Sequence, residues 1–264
     1  MHPLVNIAYR AAKDSADALA HKTDRLDRIK VLDEDELSFL TTADQDSDQT
    51  LIYHIQKTYP DHNILSRVSG KHEGKAEEPT WLIDPLLGNK NFAKGYPRFG
   101  VALAVKVKDV VEHAVVLAPM LGDEFMASRG RGAQLNSRRI RVTGKSDLKS
   151  SLVGLDSTGL DSQLFLDAQH ALLQAKASPR ISGCGALDLL DTACGRLQAG
   201  WCRQPGDASM AAVSLILKEA GGLIGTEEGN PKLDKGSEMI FGESEIFKQL
   251  IKIRSRLNAG KAPE

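Results

Sequence analysis

WLIDPLLGNKNF, residues 81–92, is the stretch on which the reading of this chain turns. WLID is the continuous apolar run of a buried strand, and Pro85, Gly88 and Asn89 behind it are turn formers. A strand that ends in a carboxylate and runs into a Gly-containing loop is a natural place to hold a metal ion or a phosphate. Asp84 is the one carboxylate in the stretch, and Leu87 stands where polar chemistry would be expected. The stretch reads as a working site, a damaged one or only a turn, and its surroundings have to decide.

Working outward, apolar and small residues at helical spacing from Leu4 to Leu19 predict an amphipathic helix over residues 3–22. A second helix, capped by Thr42 or Asp44 and apolar at Leu51, Ile52 and Ile55, ends at Tyr59-Pro60. Strands follow at 63–66, 80–84, 100–107, 112–119 and 123–130, the last three in the rhythm of an antiparallel meander. RGRGAQ (129–134) reads as a turn before a further short strand in RRIRVTG. From Ser151 the pattern changes to a strand in SLVGLDS, a helix over 164–175, and a small-residue helix opened by the loop around Gly183, Cys184 and Gly185. A helix over 207–220 closed by Gly221-Gly222, a strand in EMIFGE and a terminal helix complete the chain. The layout is α/β (α+β): an α+β half over 1–147 and an α/β half over 148–264, packed as one unit with a soft boundary near Gly144 to Ser151.

Length and composition narrow the class. The 264 residues are enough for a substantial core, and 41% hydrophobic with 26% charged residues is ordinary for a globular chain. A formal net charge of -1 gives no global attraction to nucleic acid or acidic lipid, so such binding needs a local patch. The densest one is SRGRGAQLNSRRIRV (128–142), with Arg129, Arg131, Arg138, Arg139 and Arg141; it reads as a solvated hairpin or as a surface for RNA or an acidic protein. DEDE (33–36) reads as a solvated mobile loop. The N-terminus lacks the apolar core of a signal peptide and no run is long enough to span a membrane, which places the expected location in the cytoplasm. Cys184, Cys194 and Cys202 suit a reducing compartment, and their spacing does not suit zinc.

Taken together, MHPLVNIAYRAAK, FLTTAD, WLIDPLLGNKNF, the span 99–136, GALDLLDTACGRLQAG and PGDASMAAVSLILKEAGG resemble the inositol monophosphatase family, and within it the bacterial SuhB-like branch. The resemblance covers essentially the whole chain. It implies a layered αβαβα sandwich, commonly a homodimer, and Mg²⁺-dependent hydrolysis of phosphate monoesters, in which converging carboxylates hold the metal and a Thr orients the attacking water. It also implies a role with Nus factors and RNA polymerase in antitermination during ribosomal RNA synthesis, without DNA sequence recognition.

Transferred onto this chain, the family's site is depleted. Arg67-Val68 replaces an acidic pair. Asp84 matches the first Asp of the metal turn, while Leu87 replaces the second and Asn89 the Thr. Asp207 matches a later Asp and Asp44 an outer acidic residue; Glu34 stands in place of a Lys, and the loop before Asp207 is short and lacks a substrate-binding Glu. Asp84, Asn89 and Asp44 are therefore remnants of catalytic positions, and Asp84 and Asp207 remnants of metal ligands. Gly183, Cys184, Gly185 and Arg67 are candidate substrate contacts. Arg67 cannot lose its charge at neutral pH, so it is expected to repel Mg²⁺ and to pair with Asp84 or Asp207.

The plain readings are a capped turn at Asp84, a helix N-cap at Asp207, and tight strand-to-helix packing at Gly183 to Gly185. The resulting expectation is a catalytically impaired, regulatory or binding member of the family with no resident cofactor. The alternative is a phosphatase acting on inositol monophosphate or a related sugar or nucleotide phosphate, with Mg²⁺ at an altered site.

Overall fold

A computed structural model describes residues 2–35, 38–144 and 147–259. In chain order the first half gives α1 (Pro3–Lys22), a 3-10 segment (Thr23–Arg28), β1 (Val31–Glu34), β2 (Phe39–Thr41), α2 (Thr42–Thr58), β3 (Asn63–Ser66), β4 (Gly70–His72), β5 (Thr80–Leu87), α3 (Asn89–Ala93), β6 (Gly100–Val107), β7 (Val110–Ala118), β8 (Asp123–Ser128), β9 (Ala133–Leu135) and β10 (Arg138–Ile140). The second half gives β11 (Leu152–Leu155), α4 (Ser162–Gln174), β12 (Ser178–Arg180), α5 (Gly185–Ala193), β13 (Ala199–Arg203), α6 (Asp207–Glu219), β14 (Leu223–Gly225), β15 (Glu238–Gly242) and α7 (Ser244–Ala259).

The strands form an eight-stranded sheet, ordered β10-β9-β8-β7-β6-β5-β3-β4, a five-stranded sheet, ordered β12-β11-β13-β15-β14, and the small pair β1-β2. Strand alternation decides what covers each face of the large sheet. Trp81, Ile83, Val101, Leu103 and Val105 share one buried cluster with Val5, Ala8, Ala12 and Leu19 of α1 and Leu51 and Ile55 of α2. Leu82, Ala102, Ala104, Ala114 and Val116 share another with Leu187 and Leu190 of α5 and Val213, Ile216 and Leu217 of α6. Met239 and Phe241 of the small sheet join that second cluster, so α5 and α6 lie between the two sheets. Val153, Leu155, Trp201 and Ile240 face the other way, against Leu164, Ala168 and Leu172 of α4 and Ile246 and Leu250 of α7. The result is five layers, αβαβα, as the resemblance implies.

Several local expectations need correction. β5 does not stop at Asp84 but continues through Leu87, with an irregular register between Asp84 and Leu87 against β6. Pro85 sits in that irregularity, where a missing N–H breaks no ladder bond. The N-cap of α2 is Thr41, in a reciprocal capping box with Asp44, and not Thr42. Asp33 and Glu34 of the expected mobile loop pair with β2 as part of β1, while Glu36 lies outside the described residues. The last two residues of the expected turn over 129–134 already belong to β9, and the strand expected in RRIRVTG ends at Ile140. β13 and β14 are not apparent in the sequence reading, because β13 follows a helix of the same small apolar residues with only a short turn between them.

Candidate functional site: an arginine between two buried aspartates

The end of β5, the residue after β3 and the first turns of α2 and α6 meet at Asp84. Arg67 leaves β3 with its backbone N–H donating to the carbonyl of Ile83 at 3.0 Å, which sets its side chain beside β5. Its Nε donates to Asp84 Oδ1 at 2.6 Å, and one Nη donates to Asp44 Oδ1 at 2.6 Å and to the carbonyl of Leu86 at 3.2 Å. Burial works against the guanidinium charge, yet the adjoining Asp84 and Asp44 outweigh it and raise its pKa above the ordinary arginine value. It is a permanent, partly buried cation.

The carboxylates around it have few lone pairs left for a metal. Asp84, 2% exposed, also accepts the N–H of Leu86 at 3.1 Å through Oδ1 and the hydroxyl of Ser209 through Oδ2. Asp44 is fully buried; its Oδ2 accepts from the backbone N–H of Thr41 at 2.8 Å and the Thr41 hydroxyl at 2.7 Å, and its Oδ1 takes Arg67 and the Asn89 amide at 3.1 Å. Asn89 also donates to the carbonyl of Phe39 and accepts from the N–H of Lys90 at 2.9 Å. Its side chain therefore ties α3 to β2 and α2; an amide so committed does not replace a water-orienting hydroxyl. Leu87 is buried in the apolar cluster that holds Cys184 and α6. Gly88 has to be glycine: its φ is +69°, and a Cβ would lie 2.5 Å from the carbonyl oxygen of Arg98.

Asp207 departs from both sequence expectations. It is the first residue of α6 and Gly206, at φ 140°, is the N-cap, so Asp207 is not the capping residue. It is exposed, its Oδ1 lies 3.5 Å from Gln204 Nε2, and it does not pair with Arg67. Its place beside Asp84 is taken by Ser209, one of two residues the sequence reading missed. The signal was present: Ser209 lies two positions into the helix that follows a family-matching Asp, on the face turned toward β5.

The other missed residue is Asp156, at the end of β11. The amide of Gly185, the first in α5, donates to Asp156 Oδ2 at 2.9 Å, and Asp156 Oδ1 accepts from Thr158 N–H at 3.0 Å. The amide of Cys184 donates to Ser182 Oγ at 3.2 Å. The Gly183 to Gly185 loop therefore does not present these amides to a phosphate; a carboxylate of the chain itself sits at the positive end of α5. Gly183, at φ +69°, packs against Asn91, whose amide donates to the carbonyls of Ser182 and Arg98 at 3.0 Å each. Burial raises the thiol pKa of Cys184 to about 12 and that of Cys202 well above its usual value, so both are neutral.

Beneath this loop a second ionic network joins α5 to the large sheet. Arg98 donates to Asp188 and Asp191 at 2.9 Å each, and Arg196 reaches from Asp191 to Asp123 at the start of β8. Asp188 Oδ1 is bonded to Ser182 as well, but Asp188 Oδ2 and Arg98 Nε are buried without a partner. Burial outweighs Ser182 and Arg98 and lifts the Asp188 carboxyl to about 7.

Five alternating layers, with an arginine paired to two buried aspartates where β5 meets α2 and α6, define a phosphatase-fold protein. The whole-chain comparison agrees: residues 1–259 match the inositol monophosphatase family, and the chain belongs to it. The relatives it resembles include the Nus factor SuhB of Pseudomonas aeruginosa, 38% identical over 258 residues that span 95% of each chain. The Nus factor SuhB of Escherichia coli is 32% identical over 257 residues, again 95% of each. Among solved structures, the suhB extragenic suppressor protein of Bartonella henselae superposes with a TM-score of 0.90 at 25% identity, covering 96% of this chain and 98% of that one. An IMPase of Thermotoga maritima gives 0.88 at 24% identity over 98% and 99%, a likeness of fold.

The donor set does not fit Mg²⁺. An octahedral site needs several free oxygen ligands, and the two buried aspartates here are already bonded to an arginine, a serine, a threonine and an asparagine. Among the described residues no group of three or more His, Cys, Asp or Glu side chains is arranged to hold a metal ion.

Proposed function

We propose that this chain is a SuhB-like regulatory protein of the inositol monophosphatase family, working in the cytoplasm without metal-dependent phosphatase chemistry and without a resident cofactor. One observation carries the reading: Arg67 stands between Asp84 and Asp44 at 2.6 Å from each. Its charge supplies what a divalent cation supplies in a phosphatase, holding the acidic turn of β5 against α2, but it offers no open coordination position and activates no water. The scaffold is kept while the chemistry is removed.

The names of the relatives suggest where the scaffold acts. Nus factors and RNA polymerase, in antitermination during ribosomal RNA synthesis, are the proposed partners, and a homodimer is the proposed assembly. Two measurements test this. Purified protein with Mg²⁺ or Mn²⁺ and a panel of inositol, sugar and nucleotide monophosphates is expected to show no metal-dependent turnover. Turnover abolished by Asp84→Asn would overturn the reading. Affinity capture of the tagged full chain is expected to recover transcription components, and recovery of the chain alone removes the support for the regulatory role.

A further inference from the structure

α2 turns different faces to different neighbours. Ala43, Ser47, Leu51 and Ile55 are buried, and Leu51 and Ile55 lie in the cluster shared with α1 and β5. Asp48, Gln49 and Ile52 stand at helical spacing on another face, across from Leu40 of β2 and Val68 of the β3–β4 hairpin. Between these walls lies an open cavity of about 560 Å³. Small-molecule sites measure roughly 300–1,000 Å³. On the hairpin side, Ser69 Oγ and His72 Nε2 are bonded at 2.7 Å across the turn. Arg67, Asp84 and Asp44 do not line the cavity, so it is separate from the site described above.

Asp48 decides what the cavity fits. It is 3% exposed, and its Oδ1 accepts from the Ser66 hydroxyl. Its Oδ2 has no hydrogen-bond or ion-pair partner among the described residues, and it is left open to the cavity that the side chain lines. Asp44, one turn earlier on the same helix, has Arg67 at 2.6 Å; among the described residues no lysine or arginine lines the cavity of Asp48. A carboxylate taken out of water is costly unless a cation meets it, so the missing cation has to come from outside the chain. Gln45 and Gln49 flank Asp48 on α2, and neither makes a side-chain hydrogen bond among the described residues. An ammonium group has three donors and can meet the free carboxylate oxygen and an amide carbonyl together. Leu40, Ile52 and Val68 give an apolar body attached to that group a surface to cover. One free carboxylate oxygen is too few for a divalent metal ion, and its charge repels an anion.

We propose that this cavity binds a small primary amine carried on an apolar body, with its ammonium group on Asp48. Phenethylamine is the probe, titrated into the full chain by calorimetry at about pH 7, where amine and carboxylate are both charged. Phenethyl alcohol is its neutral counterpart, and the trimethylammonium form keeps the charge but has no N–H donor. The amine is expected to bind about tenfold or more tightly than either. Asp48→Asn keeps an oxygen to accept from Ser66 and removes the charge, for an expected loss of about tenfold or more. Gln49→Lys, at an exposed position, brings a competing ammonium to the cavity and is expected to weaken binding by about the same factor. Circular dichroism first shows that each variant is folded; if Asp48→Asn is not, Gln49→Lys decides. No binding of the amine, equal binding of the alcohol or the trimethylammonium form, displacement of the amine by Mg²⁺, or unchanged binding by a folded variant overturns the proposal. Neither result bears on the regulatory reading, which rests on Arg67.

Discussion

Arg67 places a covalently attached cation between Asp84 and Asp44, and the energetics of that pairing can be checked one residue at a time. Removing one partner of a buried ion pair leaves an uncompensated charge and costs about 3–5 kcal/mol. Arg67→Ala would strand both Asp84 and Asp44, so a loss of about 3 kcal/mol or more is expected in urea denaturation. Arg67→Lys is expected to recover only part of it, because an ammonium cannot bridge both carboxylates in the planar fork geometry. Asp156 acts at the same scale with the opposite sign of charge. Asp156→Ala frees the Gly185 amide and removes a carboxylate from the α5 N-terminus, for an expected cost of about 1 kcal/mol read from the same denaturation curves.

At the scale of elements, α5 is held to its surroundings by a buried carboxyl whose protonation differs between folded and unfolded states. Burial lifts the Asp188 carboxyl to about 7 in the fold, against about 4 for a free aspartate, so between these limits the folded chain holds a proton that the unfolded chain has released. Stability therefore falls as pH rises from about 4 to about 7 through this group. Asp188→Asn keeps the acceptor for Ser182 and Arg98 and removes the titration. The expected outcome is a variant whose thermal midpoint changes less between pH 5 and pH 8 than that of the parent; an identical pH dependence would show that Asp188 is not the group involved. Gly88 sets the start of α3 in a comparable way. Gly88→Ala places a Cβ against the Arg98 carbonyl in a left-handed conformation, and a loss above about 1 kcal/mol is expected from strain alone.

For the whole molecule, the family match covers residues 1–259 while the candidate site rests on a few positions distributed over four elements. Restoring the family's residues with Arg67→Glu, Leu87→Asp and Asn89→Thr returns carboxylates to the end of β5, but it leaves Asp207 exposed, Ser209 on Asp84 and Asp156 on the Gly185 amide. The expected outcome, once circular dichroism has shown that the variant folds, is Mg²⁺ binding by calorimetry without turnover of a phosphate monoester. Turnover by the triple variant would show that the Asp156 contact is no obstacle. The same distribution explains what could be read in advance. The individual elements follow from hydrophobic period, since α1, the β6–β8 meander and α6 each carry a clear apolar face, and local pattern is what forms them; their layering was implied by the family resemblance. Asp84, Asp44 and Arg67 were identifiable because each replaces or retains a residue at a fixed place in a motif. Ser209 and Asp156 were not singled out: they lie in PGDASMAAVSLILKEAGG and SLVGLDS, stretches read for other features, and each acts on a residue more than twenty-five positions away.

By itself the sequence determined most of the helices and strands and their order, the family resemblance that implies the αβαβα layering, and the presence of one carboxylate, Asp84, in the WLIDPLLGNKNF turn with Arg67 after β3. These depend on residue type and spacing within short windows. Only the tertiary structure decided how these side chains meet: Arg67 paired with Asp44 as well as Asp84, Asp207 left at the surface, and Asp156 bonded to the first amide of α5. The reason is geometric. Charge pairing and hydrogen bonding are settled at separations of about 3 Å, and which side chains reach that separation depends on how distant segments pack against one another.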